Sequence, residues 1–257
     1  RWSAIVGLPT ADTFRLDALI LRDPHVFADL GGFFGCQDIT DSVLGGLGPS
    51  FNDQLAAALD EDGDGDGLLD VSLVQRLQPL DPLAAMLPTE SVRADCTAPV
   101  PSTLCMPLPG AISSVATYDG LDAGLCLEAI AGTTSGYAPA VPSIAGPCLV
   151  TAAQDSAIVL LDIALELLDV QLAGVAVGDP IDQLTPGLLI GFLPEATADA
   201  VVVPVDVPVL GGQPLSALLP GGTGNCATGD DRDMWRGQSG WWLYLESTAR
   251  AVPFVVP

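Results

Sequence analysis

"SAIVLLDIALELLDVQLAGVAV", residues 156–177, admits two readings, and the choice between them settles the fold class. Read as a helix, it puts Asp162, Glu166 and Asp169 at i, i+4 and i+7 on one polar face. Read as extended chain, it alternates Val159, Leu161, Ile163 and Leu165 against Asp162, Ala164 and Glu166. The stretch is also rich in β-branched residues and holds Gly174, both poor choices for a helix interior. It therefore predicts strands with a bulge.

Working outward, "TFRLDALIL" (13–21) and "VSLVQRLQ" (71–78) show the same two-residue period, and "GWWLYLESTARAVPFVVP" (240–257) sets Trp242, Tyr244 and Glu246 against Trp241, Leu243 and Leu245. "VVVPVDVPVL" (201–210) alternates valine with Pro204, Asp206 and Pro208, which predicts an edge strand, because proline donates no ladder hydrogen bond. The segment 97–148 is rich in Pro, Gly, Ser and Thr and offers one strand-like piece, "GLCLEAIAG" (124–132). A short helix is predicted over "PSFNDQLAAALD" (49–60), with Ser50 as N-cap and Asp53 three residues on. The 28 glycines and 22 prolines in 257 residues favour short extended segments broken by turns. The expectation is an all-β protein: a β-sandwich, jelly-roll or Ig-like, with a few short helices and long disulfide-tied loops. Residues 1–9 would form an N-terminal arm and 10–257 a single domain.

Charge bounds the partners. Eight arginines and no lysine stand against 32 acids, for a net charge of −24. A basic patch for nucleic acid or anionic lipid is excluded on that balance, and cations are the natural partners. No membrane span is expected, since the best apolar run is interrupted by Asp162, Glu166 and Asp169. Six cysteines without a C-x-x-C pair predict disulfides rather than zinc, and hence an oxidising setting. Fifteen connectivities are formally open to six cysteines. The preferred one closes Cys96–Cys105, then Cys126–Cys148, then Cys36–Cys226. The chain begins Arg1-Trp2 without a charged and then apolar leader, which reads as a secreted protein whose signal peptide has been removed.

"LDEDGDGDGLLD" (59–70) crowds five aspartates and three glycines into twelve positions. Calcium takes six to eight oxygens, and alternate aspartates interleaved with glycine let a short chain curl round it. Asp62, Asp64, Asp66, the Leu68 carbonyl and Asp70 fall at loop positions 1, 3, 5, 7 and 9, Leu69 should pack inward, and Asp60 is a further ligand or serves a second ion. Leu73 occupies position 12, where an EF-hand carries glutamate. Asp230, Asp231 and Asp233 form a second acidic cluster, either a metal site or a salt-bridged turn around Arg232.

The acidic stretch resembles the D-x-D-G-D-G-x-x-D calcium loop of thrombospondin type 3 repeats and dockerin-like modules. Together with "ADCTAPVPSTLC", "LIGFLPEATADA" and "LPGGTGNCATGDDRDMWRGQSGWWLYL", it resembles a family of secreted bacterial proteins in which such blocks recur in this order, over roughly residues 50–246. That resemblance implies secretion and a calcium loop, and it brings no catalytic residues with it.

No nucleophile motif accompanies the sole histidine, His25, and no phosphate-cradling loop is present. A carboxylate pair among Glu128, Glu166, Glu195, Glu246 and the aspartates is the remaining enzymatic option, and a non-enzymatic protein is expected. The expected function is a subunit of an extracellular filament, fibril or cell-surface assembly: a homo-polymer joined by strand addition through an arm carrying Trp2, Ala4, Val6 and Leu8. The alternative is a carbohydrate- or surface-binding module that stacks glycans on Trp235, Trp241, Trp242 and Tyr244.

Overall fold

The computed structural model describes residues 12–43, 48–77, 86–100, 104–110, 112–119, 124–160, 163–205, 207 and 209–255. In chain order its elements are β1 (Asp12–Asp23), β2 (Phe27–Asp29), β3 (Cys36–Asp38), α1 (Phe51–Asp60), β4 (Leu73–Leu77), β5 (Leu87–Cys96), β6 (Cys105–Pro107) and β7 (Ile112–Asp119). There follow β8 (Leu125–Leu127), β9 (Ile144–Ala145), β10 (Cys148–Thr151), β11 (Gln154–Leu160), β12 (Ile163–Gly178), β13 (Ile181–Pro194), α2 (Glu195–Ala200), β14 (Asp233–Trp235) and β15 (Gln238–Ala251). No described helix is long and apolar enough to cross a membrane.

All-β is what the alternating patterns predicted. The strand pairing adds a feature they did not: it closes on itself. Neighbours run β1-β4-β5-β7-β10-β12-β13-β15 and back to β1, all antiparallel, so these strands form one ring of hydrogen bonds rather than two separately bonded sheets. Closure depends on β1, whose first four residues pair β4 through Asp12–Arg15 while most of its length pairs β15 through Phe14–Asp23. Beyond β4 the open side of β1 is met by α1, where the Asn52 amide accepts the Leu21 N–H at 2.8 Å and donates to its carbonyl at 3.1 Å. A side chain thus stands in for the missing strand.

The 156–177 stretch is extended, as expected: β11 and β12 make a hairpin with register shifts on both of its neighbours. The irregularity is marked by Asp169, which takes a left-handed φ of 50°. Leu161 and Asp162 lie outside the described residues. Pro186, inside β13, falls where the β13–β15 register shifts, a position that tolerates a missing donor. Among its described residues the 201–210 segment forms no strand. Val202 makes one isolated bridge to Pro214, while Val207 N–H bonds Pro204 O and Gly211 N–H bonds Val207 O, so the described part of this segment turns on itself with Val203 and Leu210 buried. Its prolines break the ladder more strongly than its valines support one. The 97–148 region also differs, holding β6, β7, β8 and β9 where one strand was expected.

Three apolar clusters follow from this topology. The ring encloses the main one, including Phe14, Leu16, Leu77, Leu87, Leu189, Trp241 and Leu245. The outward face of β13 and β15 is buried as well, because the segment 124–147 lies over Ile190, Phe192, Trp242 and Tyr244. A third cluster, around Leu69, Val74, Val92 and the Cys96–Cys105 pair, is covered by Val252 and Phe254 of the C-terminal tail. That tail is held by Cys105 N–H to Pro253 O and Val255 N–H to Cys105 O, each at 3.0 Å.

All three expected disulfides are present, Cys36–Cys226, Cys96–Cys105 and Cys126–Cys148, a pattern suited to an oxidising environment. The helix cap forms too: Ser50 Oγ accepts the Asp53 N–H at 3.1 Å and Asp53 accepts the Ser50 N–H at 3.0 Å. Ser50→Ala should cost about 1 kcal/mol. Denaturant titration would register this as a lower midpoint with an unchanged slope.

Candidate metal centre

The acidic loop leaves the end of α1. Leu55 and Leu59 bury one side of the helix in the main core, and beneath its last turn the buried Arg15 guanidinium donates to the Leu59 carbonyl. Burial lowers the Arg15 pKa, against the pull of Asp60 and Asp17. Asp60 is thus close enough to act on the Arg15 charge, with its own side chain exposed at the end of α1.

From Asp62 onward the backbone curls. Gly65 and Gly67 adopt φ of 76° and 89°, which a residue with a Cβ rarely takes. Successive N–H groups turn onto the carboxylates: Gly67 to Asp62 at 2.9 Å, Asp66 to Asp64 at 3.0 Å, Leu68 to Asp66 at 2.8 Å, and Gly63 to Asp70 at 3.2 Å. The loop is fastened from outside by Asp70 N–H to Glu61 O, Leu69 N–H to Cys96 O and Ala98 N–H to Gly67 O. Leu69 is buried in the third cluster, as its position in the motif predicts.

Asp62, Asp64 and Asp70 converge, each offering an oxygen within 4.8 Å of the others. Asp66 and Asp60, both expected ligands, are not part of this trio: Asp66 closes the turn onto Leu68, and Asp60 stays exposed at the end of α1. Leu68 sits at the rim, bridged to Thr97. Three hard carboxylate oxygens on a glycine-relaxed loop suit calcium. One further observation bears on the fit: Asp62 Oδ1 is shut off from solvent and has no hydrogen-bond partner. A buried oxygen of this kind normally has a partner, and a cation on the trio would supply it.

The second acidic cluster divides instead of converging. Asp230 holds Arg232 in a fork, at 2.9 and 2.8 Å, and Arg232 also reaches Glu195 at 2.8 Å. These hydrogen bonds take the Asp230 carboxyl down to about 2. Gly221 makes room for the fork, since a Cβ there would collide with the Asp230 carboxylate. Asp231 accepts the Tyr137 hydroxyl at 2.6 Å. Burial and Asp231 push Asp233 up. The salt-bridged turn is therefore the arrangement observed at Arg232.

Tyr137 leads to a cluster that sequence reasoning missed. Its ring stacks on His25 at 3.8 Å and 10°, His25 Nδ1 meets Asp38 Oδ2 at 2.5 Å, and Asp23 accepts the Ser135 N–H at 2.9 Å. His25 is only 5 % exposed, and alternation at the end of β1 gives no hint of that burial. For Asp38, burial is outweighed by hydrogen bonds from His25 and Thr40, which leave the carboxyl below its usual range. The Tyr137 hydroxyl is pushed up by burial and by Asp231. Asp23 goes the other way from Asp38: burial pushes it up to about 6, over the opposing Ser135 hydrogen bond, with Asp231 and Asp233 adding repulsion and His25 opposing it.

A raised carboxyl pKa means the folded state binds the proton more tightly than the unfolded chain. The Asp23 contribution is thus fully present below pH 3.8 and is lost as pH rises through about 6. Asp23→Asn should be neutral near pH 3.5 and stabilising at pH 8, by up to about 3 kcal/mol. Denaturant midpoints across that range provide the check, and a flat wild-type profile between pH 4 and 7 that the variant does not alter would refute the assignment.

The aromatic glycan platform is not formed. Trp241, Trp242 and Tyr244 are buried, Trp241 donating to Pro220 O at 2.9 Å and Trp235 packing against Trp242 at 5.1 Å. Alternation separates the two faces of β15 correctly, but both faces are covered. The arm residues Trp2, Ala4, Val6 and Leu8 lie outside the described residues. Comparison of the chain with family models, with curated proteins and with solved structures finds no match in any of the three.

Proposed function

We propose that the protein is a secreted structural protein in which a calcium ion on Asp62, Asp64 and Asp70 staples the α1–β4 corner to the Cys96–Cys105 loop, and that it serves as a subunit of an extracellular filament or surface assembly. The observation that carries the reading is the convergence of three carboxylates around a buried oxygen without a partner. The loop touches both the C-cap of α1, through Asp70 to Glu61, and β5, through Leu69 to Cys96, so an ion there would stiffen the joint between helix and barrel. It would also offset part of the −24 charge that keeps copies of the chain apart.

Ring closure narrows how copies would join. Strand addition needs an open edge, and among the described strands β11 and β14 of the large sheet and the members of the β2–β3 and β8–β9 pairs are bonded on one side only, while the second side of β6 is taken by the C-terminal tail. Exposed apolar side chains at Phe33 (98 % exposed), Val205 (87 %) and Met234 (69 %) are further contact points. Negative-stain electron microscopy and sedimentation of the native protein, before and after EGTA, test both halves of the proposal. Polymers that fray on chelation support it. Discrete monomers in both conditions refute the assembly, and an unfolding midpoint indifferent to calcium refutes the staple.

A further inference from the structure

A cavity of about 320 Å3 lies between the β4–β5 side of the ring and the β10–β12 side. Its wall is mostly hydrocarbon, from Leu16, Leu73, Ile158, Val170, Leu172 and Leu189. Eight-stranded barrels are just wide enough either to be filled by side chains or to hold one small ligand, and this volume falls at the lower end of small-molecule sites. It reaches the surface past the exposed residues Arg93, Gly110 and Ala157.

Three polar side chains of its wall are already engaged. Ser91 Oγ donates to Gln75 Oε1 at 2.7 Å, the Gln75 amide donates to Thr89, and Thr151 Oγ1 accepts the Leu172 N–H at 2.9 Å. Arg93 differs. Residues 87, 89, 91 and 93 share one face of β5 by strand alternation, the face on which Leu87 joins the main core, and Arg93 stands directly across from Leu73. The other described arginines, Arg15, Arg22, Arg76, Arg232, Arg236 and Arg250, each hold a carboxylate, hydroxyl or carbonyl. The Arg93 guanidinium has no such partner among the described residues, in a chain where acids outnumber arginines by 32 to eight. A cation without a partner among the described residues, at the rim of a hydrocarbon cavity, defines the two ends of a ligand.

We propose that this cavity binds a medium-chain aliphatic monocarboxylate, its chain against Leu16, Leu172 and Leu189 and its carboxylate forked on Arg93. The site neighbours the metal loop, since Arg93 also borders a small polar recess with Asp70 and Asp95, so the titrations hold calcium constant. Isothermal titration calorimetry of the full, oxidised chain with decanoate, decanol and decylamine tests the assignment on wild type, Arg93→Gln and Ala157→Trp. Residue 157 is exposed, so the tryptophan narrows the entrance without entering the core. Decanoate should bind at one site, Arg93→Gln should weaken it about tenfold while leaving decanol unchanged, and Ala157→Trp should weaken both ligands. Failure of decanoate to bind wild type, equal decanoate affinity in Arg93→Gln, or decylamine binding as tightly as decanoate would each overturn the proposal.

Discussion

Chelation of calcium should lower the unfolding midpoint of the native protein on the order of 10 °C, since an ion present at about a thousand times its dissociation constant stabilises the folded state by about 4 kcal/mol and each kcal/mol moves a chain of this size a few degrees. Asp62→Asn combined with Asp64→Asn should reproduce the loss with calcium present, because two of the three converging carboxylates are then neutral. Asp66→Asn separates this account from simple relief of crowding. Asp66 contributes its oxygen to the Leu68 N–H and not to the trio, so neutralising it should leave most of the calcium response in place. If repulsion among the acids were the whole story, all these variants would stabilise the calcium-free protein alike and none would abolish a calcium response. Hydrogen exchange should place the change locally, at the Leu69 and Ala98 amides that tie the loop to its neighbours, before it spreads to the ring. Magnesium at equal concentration should substitute poorly, since it demands a tighter octahedron than a glycine-rich loop imposes. A midpoint that ignores calcium, or a double variant that still responds to it, would remove the staple.

The parts legible in the sequence were those with a local signature. Alternation over 156–177 separates strand from helix because the period of side-chain burial differs, and β11 and β12 follow. Aspartates interleaved with glycines mark the loop because its curl uses both, the glycines for left-handed backbone and the carboxylates as acceptors for successive N–H groups. β5 escaped for the opposite reason: its core-side residues Thr89, Ser91 and Arg93 are polar, paired with Gln75 or set at a cavity rim, so "LPTESVRADC" carries no apolar alternation on that face. Closure of the ring was invisible because a strand's pattern names its buried face and not its partner, and the β1–β15 pairing joins opposite ends of the chain. The tryptophans of β15 were misread because a segment more than ninety residues earlier covers the face that alternation leaves to solvent. Asp23 and Tyr137 meet His25 only after the 124–147 segment folds over the ring, which no local pattern records.

The disulfides carry the second large effect, and they should not contribute equally. Cys36–Cys226 spans 190 residues and Cys96–Cys105 only 9, so on chain entropy alone removing the first should cost about 5 kcal/mol and the second about 3. Their surroundings predict a different division of labour. Cys36 begins β3 and Cys226 lies before β14, and neither belongs to the cluster that buries Leu69, so replacing both by serine should lower the denaturant midpoint while leaving calcium affinity intact. Cys96 accepts the Leu69 N–H through its carbonyl, and its sulfur belongs to the cluster that buries Leu69. Cys96→Ser with Cys105→Ser should therefore loosen calcium binding as well as the fold. Measured without reductant, the two double variants give four numbers, a stability and a calcium affinity for each. A larger stability loss at Cys36–Cys226 with unchanged affinity, beside a smaller loss at Cys96–Cys105 with weakened affinity, would assign the long bridge to the unfolded chain and the short one to the joint. Equal calcium affinity in both variants would show that the loop holds its shape without the cystine, and would leave its three aspartates and two left-handed glycines as the whole of its organisation.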